Sequence, residues 1–250
     1  MILAIANQKG GVGKTTTAIN LGAGLGALER RVLLVDCDPQ ANATRGLGAR
    51  ASDPNLYHAL TGEAPLAETI LASGFPNLDL VPSQRDLVGV EVEFVGEPGW
   101  EKRLKSVVAP VAGRYDTILL DCPPSLGHLT VAALTAADGV LVPLQCEYFA
   151  LEGISELLDT VRRIQASLNP RLAIAGILLT MYDDRTNLSK EVAEEIRSHF
   201  ADKVYETVVP RNIRLAEAPS HGLPIFQYDI KSRGAEAYLA LARELLRRAA

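Results

Sequence analysis

Short runs of apolar, often β-branched residues alternate along the chain with longer stretches whose apolar residues recur at helical spacing. The runs predict seven buried strands, at residues 2–6, 31–36, 78–82, 115–121, 138–144, 174–180 and 204–210. The longer stretches predict six helices, at 15–28, 100–112, 127–137, 150–168, 187–200 and 234–248. Residues 45–77 break the pattern and predict surface connections with one short helix. The alternation predicts a doubly wound α/β fold, in which helices cover both faces of a mainly parallel sheet.

Composition adds the expected compartment and domain count. The 250 residues are 48% hydrophobic and contain no linker rich in Pro, Gly or Ser, which favours one domain over 1–250. The chain starts with a predicted strand and shows no secretory leader, and no apolar run approaches the roughly 18 residues that a membrane span needs. Cys37, Cys122 and Cys146 are odd in number and lie in apolar contexts, which predicts buried, reduced thiols rather than disulfides. We therefore expect a cytoplasmic protein.

The net charge is unevenly distributed. Residues 1–150 carry 11 Lys and Arg against 16 Asp and Glu, whereas residues 151–250 carry 14 of each. The whole net charge of −5 thus lies in the first part. Any contact with nucleic acid must therefore come from a local basic patch.

The sequence NQKGGVGKTTT, at residues 7–17, lies between the first predicted strand and the first predicted helix. In that context a glycine-rich loop ending in Gly-Lys-Thr predicts a phosphate-binding P-loop, because backbone N–H groups and the helix N-terminus converge on phosphate oxygens. The glycines that allow this convergence are Gly10, Gly11 and Gly13.

Two lysines and one threonine give this P-loop its chemistry. Lys14 is placed to reach the β- and γ-phosphates, and the hydroxyl of Thr15 to bind Mg²⁺. The position of the usual first glycine holds Gln8, and a second lysine, Lys9, follows it. An ordinary P-loop has no such lysine. The alternative, a tight turn with incidental lysines, does not explain the Lys-Thr pair.

Aspartates end two of the predicted strands. Asp121 is expected to hold magnesium as a Walker B carboxylate. Asp36 and Asp38 end the second strand, and Pro39 indicates that Asp38 is already leaving the sheet. One of these two aspartates is free to face the phosphates and position a water molecule. Strand-end aspartates alone often cap the following helix, but together with the P-loop they predict a nucleotide site.

The segments KGGVGKTT, DCDPQ and DCPPS resemble those of the deviant-Walker ATPases, a group that includes ParA, MinD and the nitrogenase iron protein. Within this group the chain is similar to the ParA/Soj partition ATPases over nearly its whole length. Only residues 45–77 and 88–100 look variable. Three further segments carry this resemblance, at 146–153, 178–189 and 209–222.

The resemblance implies an ATPase that uses ATP, releases ADP and needs Mg²⁺. It implies that Lys9 crosses a nucleotide-sandwich homodimer to the phosphates of the other subunit, and that Asp38 acts in hydrolysis together with both lysines. Thr15 and Asp121 match the magnesium site, the latter through water. The implied nucleotide-binding residues are Lys9, Gly10, Gly11, Val12, Gly13, Lys14, Thr15, Thr16, Met181, Pro210 and Asn212.

The resemblance also implies partners. Arg185 and Arg214 match basic positions that bind double-stranded DNA without reading its sequence, and a ParB-type protein is the expected activator at the nucleoid. Because the sequence begins at the first predicted strand, we expect no N-terminal DNA-binding extension of the kind that some plasmid relatives have. From the residues alone, Arg185 could instead pair with Asp183 or Asp184. Likewise, residues 210–212 could only end a strand and cap a helix.

Three rival functions remain open at this stage. A MinD-like membrane ATPase would use the basic amphipathic helix at 234–248, but this helix has no Phe or Trp and its alanines favour packing on the sheet. An iron-protein-like electron carrier would need bridging cysteines, and only Cys122 lies near the nucleotide. A metabolic kinase would have an ordinary P-loop, against which Lys9 counts.

Overall fold

The computed structural model describes residues 1–50, 53–147 and 150–249. Within them, eight strands form one sheet in the order β3-β4-β2-β5-β1-β6-β7-β8. All neighbouring pairs are parallel except β3 and β4. The strands are β1 Ile2–Ile5, β2 Val32–Asp36, β3 Leu71–Ala72, β4 Leu78–Val81, β5 Thr117–Asp121, β6 Gly139–Gln145, β7 Ala173–Tyr182 and β8 Val204–Pro210.

The described residues also form helices between most of the strands. The α-helices are α1 Lys14–Ala27, α2 Asn42–Gly46, α3 Leu56–Thr61, α4 Leu66–Thr69, α5 Val90–Glu93, α6 Arg103–Ala112, α7 His128–Ala136, α8 Ala150–Ser167, α9 Asn187–Phe200, α10 Ile213–Glu217, α11 Ile225–Tyr228 and α12 Arg233–Arg248. Four short 3-10 turns lie at Arg85–Gly89, Trp100–Lys102, Ala201–Lys203 and Ala218–His221.

Two apolar cores lie on opposite faces of the sheet, as the alternation predicts. Successive strand residues point to opposite faces, so Leu3 joins one core and Ala4 the other. The core with Leu3 includes side chains of α1 and α12, and the core with Ala4 includes side chains of α3 through α9. The predicted doubly wound, mainly parallel fold is confirmed.

The irregular part of the sequence is where the prediction is wrong. Residues 45–77 hold two short helices, α3 and α4, and the edge strand β3 instead of one short helix. Strand β3 has only two residues, too few for an alternating pattern to register. The four-residue helix α11 also went unpredicted. The predicted helix 100–112 begins as a 3-10 turn before α6.

Helix α12 packs on the sheet, as its alanines predict. Leu241 and Leu245 are buried in the same core as α1, and the Tyr238 and Thr17 hydroxyls lie 3.1 Å apart in a buried hydrogen bond. The guanidinium of Arg248 donates to the Val204 carbonyl at the start of β8 and to the Asp202 carbonyl in the turn before it. Among the described residues, every helix is either too short or too polar to cross a bilayer.

The cysteines are buried and unpaired, as predicted. Burial raises the pKa of the Cys37 thiol well above its usual range and that of Cys146 to about 11. These side chains therefore remain neutral thiols that pack as small apolar groups.

Candidate functional site

The loop between β1 and α1 forms a cradle at the carboxyl edge of the sheet. Gly11 and Gly13 take left-handed conformations, with φ of 74° and 88°, that a side chain would disfavour. The carbonyl of Val12 accepts a hydrogen bond of 2.9 Å from the Thr180 hydroxyl on β7. The Asn7 amide donates to the Pro143 carbonyl at 2.7 Å. These hydrogen bonds to β6 and β7 fix the position of the loop in front of the N-terminus of α1.

Lys14, the first residue of α1, is buried within this loop. Its Nζ donates to the Lys9 carbonyl at 2.9 Å, and only 7% of the residue is exposed. Burial lowers its pKa, and the nearby carboxyl groups of Asp121 and Asp38 oppose that effect. The Lys14 ammonium therefore lies near the aspartates that follow the strands and donates to one backbone carbonyl, that of Lys9.

Lys9 lies on the rim and has a different environment. Its Nζ forms an ion pair of 2.8 Å with Glu147 Oε2. The side chains of Lys9 and Glu147 are 40% and 45% exposed. Neither charge is fixed by burial, so the lysine can change partner at low cost.

The structure decides which aspartate of the second strand faces the cradle. Asp36 is fully buried and accepts hydrogen bonds from the Thr44 N–H at 2.8 Å and the Thr44 hydroxyl at 2.7 Å. Burial raises its pKa to about 6, although the bonds from Thr44 oppose the increase. Asp38 lines the cavity in front of the loop, and its Oδ1 accepts from the Gln40 N–H at 2.9 Å. Both Asp36 oxygens accept hydrogen bonds, whereas no bond to Asp38 Oδ2 is found among the described residues, so Asp38 is the one of these two that can offer an oxygen to a bound group.

Asp121 has no such network. It is fully buried, and neither carboxylate oxygen has a hydrogen-bond partner among the described residues. Burial raises its pKa well above the usual range, and Asp36 raises it further. The nearby Thr15 side chain lowers it, although the two do not reach hydrogen-bond geometry. A buried carboxylate without donors fits a divalent cation, which prefers oxygen ligands.

Two cavities meet at this edge. The polar one, of about 600 Å³, contains the P-loop glycines together with Lys14, Thr15 and Asp38. The more apolar one, of about 400 Å³, contains Met181, Pro210 and Asn212. The residues that line both cavities are Gly13, Thr16 and Met181. The arrangement offers an apolar slot continuous with a polar cradle, the form of a site for a ligand with a flat ring and an anionic tail.

Pro210 and Asn212 also have the structural roles that the sequence left open. Strand β8 ends at Pro210, and the Asn212 side chain caps α10 by accepting from the Arg214 N–H at 2.8 Å. The same cap directs this turn toward the apolar cavity, so the two roles are compatible.

The two arginines singled out in the sequence lie outside both cavities. Arg185 is paired with Asp183 through two bonds, at 2.9 Å from Nε and 2.7 Å from Nη2, while its side chain is 82% exposed. This interaction holds the Asp183 pKa well below its usual range. Arg214 Nη1 donates to Glu217 at 2.9 Å. The surface pairing considered for Arg185 is therefore present.

Glu147 and Thr44 are site residues that sequence reasoning missed. Glu147 lies 138 positions from Lys9 and follows β6, which neighbours β1 in the sheet. Because functional groups gather at the carboxyl ends of parallel strands, its position after a strand was an available signal. Residues 148 and 149, in the segment 146–153, lie outside the described residues. Thr44 gave no comparable signal.

Comparison with known proteins gives the family. The chain is 56% identical over 246 residues to the sporulation initiation inhibitor protein Soj of Bacillus subtilis, covering 98% of this chain and 97% of the relative. It is 53% identical over 251 residues to the chromosome partitioning protein ParA of Caulobacter vibrioides, covering 99% and 94%. The chain belongs to the ParA/Soj family of chromosome-partitioning ATPases.

Two further matches agree with this family. A model described as an AAA domain matches residues 1–174, which contain the P-loop and the strand-end aspartates. A solved structure of cobyrinic acid a,c-diamide synthase from Mycobacterium smegmatis has a TM-score of 0.87 and 38% identity, covering 98% of this chain and 94% of that chain. That protein was solved with bound ADP and magnesium. The ParA/Soj family and the deviant-Walker fold predicted from the sequence are confirmed.

Proposed function

We propose that this chain is an ATP-driven dimerising switch. In the ATP-bound state it forms a homodimer that binds DNA without sequence preference, and it hydrolyses ATP to ADP and phosphate. With a ParB-type partner it drives chromosome or plasmid segregation on the nucleoid. The observation that carries the proposal is the contrast between the two lysines of one loop: Lys14 is buried at the cradle, whereas Lys9 is half exposed on its rim.

The nucleotide would lie across both cavities. Adenine would enter the apolar slot beside Met181, Pro210 and Asn212, and the phosphates would enter the polar cradle. Lys14 would exchange the Lys9 carbonyl for the β- and γ-phosphates. The Mycobacterium smegmatis protein was solved with ADP and magnesium, which supports a nucleotide as the ligand of this fold.

Magnesium fits the acidic end of the cradle. Thr15 and Asp121 would hold the ion, the latter through water, because the oxygens of Asp121 are buried without donors. When bound, the ion neutralises charge that develops on the β- and γ-phosphates.

Asp38 would position the attacking water. Its Oδ1 is engaged by the Gln40 N–H, so Oδ2 is left to accept a hydrogen bond from water. Hydrolysis in such sites is mostly positioning and electrostatics. The isolated subunit lacks the second Lys9, so we expect slow turnover until dimerisation and the ParB-type partner complete the site.

DNA binding would use exposed arginines that already have acidic partners. Exposed pairs such as Arg185 with Asp183 stabilise the fold little, because solvent screens both charges. Exchanging the carboxylate for a phosphate therefore costs little, and each phosphate contact releases counterions. Arg214, paired with Glu217, would act in the same way. A dimer doubles each contact, which favours binding only in the ATP state.

The catalytic assignment is tested by Asp38→Ala. We expect the variant to bind ATP, to form dimers that persist on DNA, and to release phosphate at least tenfold more slowly than the wild type. Fluorescent nucleotide binding, sedimentation velocity and phosphate release measure these steps. Asp159→Asn, which breaks an exposed pair with Arg162 on α8, is the matched control. Normal hydrolysis by Asp38→Ala would show that another group positions the water.

The DNA assignment is tested by Arg185→Glu and Arg214→Glu. We expect each to lose ATP-dependent binding of DNA in mobility shifts while ATP-dependent dimerisation persists. Arg162→Glu removes an arginine from α8 whose exposure lies between those of Arg185 and Arg214, and it should leave DNA binding unchanged. Loss of DNA binding together with dimerisation would point to a nucleotide or folding defect and reject the assignment.

A further inference from the structure

An arginine lines the polar cavity in addition to the lysine of the P-loop. Arg45 belongs to the short helix α2, and it contributes to the cavity wall together with Lys14, Thr16 and Asp38. Among the described residues that line this cavity, Lys14 and Arg45 are the two that carry a positive charge. The nucleotide binding proposed above uses Lys14 and leaves Arg45 without a role.

The charges around the cavity favour a second cation. Asp121 and Asp38 lie close enough to Lys14 to act on its pKa, and Asp36 and Asp38 raise the pKa of Asp121. Lys14 therefore shares its surroundings with three carboxyl groups. A nucleoside triphosphate brings further negative charge, which one magnesium ion neutralises only in part. A second positive group at the cavity wall lowers the resulting repulsion.

The present hydrogen-bond partners of Arg45 are uncharged. Its Nη2 donates to the Gln40 carbonyl at 2.7 Å and to Asn42 Oδ1 at 2.9 Å. Within the part of the chain that the structure describes, Arg45 forms no ion pair with a carboxylate, whereas Arg185 and Arg214 each do. A hydrogen bond from a guanidinium to an anionic oxygen is roughly twice as strong as one between neutral groups. Exchange of the Gln40 carbonyl for a phosphate oxygen is therefore favourable.

The backbone of Arg45 is held in place while its side chain is exposed. The preceding residue, Thr44, is fully buried, and its hydroxyl donates to Asp36 at 2.7 Å. A Cβ added to the following residue, Gly46, would lie 2.6 Å from Ile19 Cδ1, so α2 packs closely against α1. Side-chain rotamer changes on binding are common where the backbone stays still. The guanidinium can therefore turn toward a ligand without a movement of α2.

We propose that Arg45 binds the phosphate chain of the nucleotide, exchanging the Gln40 carbonyl for phosphate oxygens. A planar guanidinium donates two parallel hydrogen bonds to one phosphate group, which an ammonium does not. Lys14 then contacts the phosphates from α1 and Arg45 from α2. The proposal rests on the nucleotide binding proposed above and adds a second positive group to that site.

The test replaces the charge of Arg45 and measures nucleotide affinity. Arg45→Gln keeps hydrogen-bond donors and removes the charge. Isothermal titration calorimetry with a non-hydrolysable ATP analogue and Mg²⁺ should show a dissociation constant higher by a factor of about 10 to 100, because a hydrogen bond to a charged group is lost. Arg162→Gln, which removes an exposed arginine from α8, is the matched control and should bind the analogue as the wild type does.

Two further measurements identify the charge as the cause. Arg45→Lys restores a positive charge without the planar fork, so it should recover part of the affinity that Arg45→Gln loses. The difference between Arg45→Gln and the wild type should also shrink at high salt, since ions screen the interaction of an exposed charge. Equal losses in both variants, independent of salt, would overturn the proposal, because the loss would then follow from altered packing of α2.

A purely structural role of Arg45 predicts a different result. Its bonds to Gln40 and Asn42 hold the turn that follows Asp38. If this were its only role, Arg45→Gln would release phosphate more slowly at saturating ATP and would bind the analogue as tightly as the wild type. That outcome would overturn phosphate binding and make Arg45 a positioning residue for Asp38.

The wild type separates this proposal from the one on which it rests. A wild-type protein that binds neither the analogue nor ADP would reject the proposed nucleotide site, and Arg45 with it. A wild type that binds, beside an Arg45→Gln variant of equal affinity, would overturn the role of Arg45 alone. A loss of affinity confined to protein concentrations at which dimers form would place Arg45 on the nucleotide of a second subunit and overturn the exchange within one subunit.

Discussion

The ion pair between Lys9 and Glu147 sets how readily Lys9 can leave its own subunit. At 2.8 Å, two unit charges in bulk water attract by about 1.5 kcal/mol. Pairs with this degree of exposure stabilise by only about 0.2–1 kcal/mol, because solvent and salt screen them and ordering two side chains opposes them. A closed dimer would break two such pairs, which gives a total of about 0.4–2 kcal/mol.

Glu147→Gln removes this attraction but keeps a hydrogen-bond acceptor. We therefore expect the dissociation constant of the ATP-bound dimer to fall by a factor of about 2 to 30, which is the same free energy expressed as an equilibrium. Sedimentation velocity with ATP measures the constant, and an Asp38→Ala background prevents turnover. The effect should shrink at high salt. Asp159→Asn, which breaks an exposed pair on α8, should leave dimerisation unchanged.

Two results would contradict this reasoning. Weaker dimerisation of Glu147→Gln would mean that the carboxylate makes a stabilising contact in the dimer instead of restraining Lys9. An unchanged constant at low salt would mean that Lys9 does not need to leave Glu147 for the dimer to close.

Three further predictions concern buried groups. Lys14→Met should abolish the increase in melting temperature that ATP causes. The melting temperature without ligand should stay unchanged or rise, since burial already disfavours the charge of Lys14. A normal ATP-induced increase in thermal fluorimetry would contradict this prediction. Thr44→Val should lower the free energy of unfolding, measured in urea, by about 2–4 kcal/mol. The Thr44 hydroxyl donates to Asp36 at 2.7 Å and accepts from the Ser83 N–H at 2.9 Å. A loss below about 1 kcal/mol would mean that water replaces the hydroxyl. Leu241→Ala should lower the free energy of unfolding by about 2–5 kcal/mol, because this face of α12 is buried. For the same reason the wild-type protein should not sediment with anionic vesicles in the presence of ATP, and vesicle binding would contradict this packing.

The fold could be predicted because its signal is local and repeated. Parallel strands are buried on both faces and read as short apolar runs, so Leu3 and Ala4 enter different cores without interrupting the run. Helices with one apolar face fill the intervals. The two-residue strand β3 and the four-residue helix α11 have no period to detect, since their place depends on the neighbours they pack against.

The part of the candidate site that lies in one continuous loop could be predicted from the sequence. The P-loop is contiguous, so its glycines and Lys14 could be read directly from the sequence. The residues alone left the choice between Asp36 and Asp38 open, and only the family resemblance favoured Asp38. The choice depends on bonds from Thr44, eight residues away from Asp36. Glu147 meets Lys9 only because β6 lies beside β1. A contact across 138 positions leaves no local pattern.

Exposure separates the charged groups that can move from those that cannot. Removing the Thr44 hydroxyl from the buried Asp36 carboxyl is expected to cost about 2–4 kcal/mol, so the buried network around Asp36 should stay fixed while the nucleotide state changes. The pairs of Lys9 with Glu147 and of Arg185 with Asp183 are exposed and can exchange partners at little cost. In the switch proposed above, a nucleotide signal that reaches a second subunit and DNA would therefore pass through these exposed pairs, and the buried carboxylates would keep their positions.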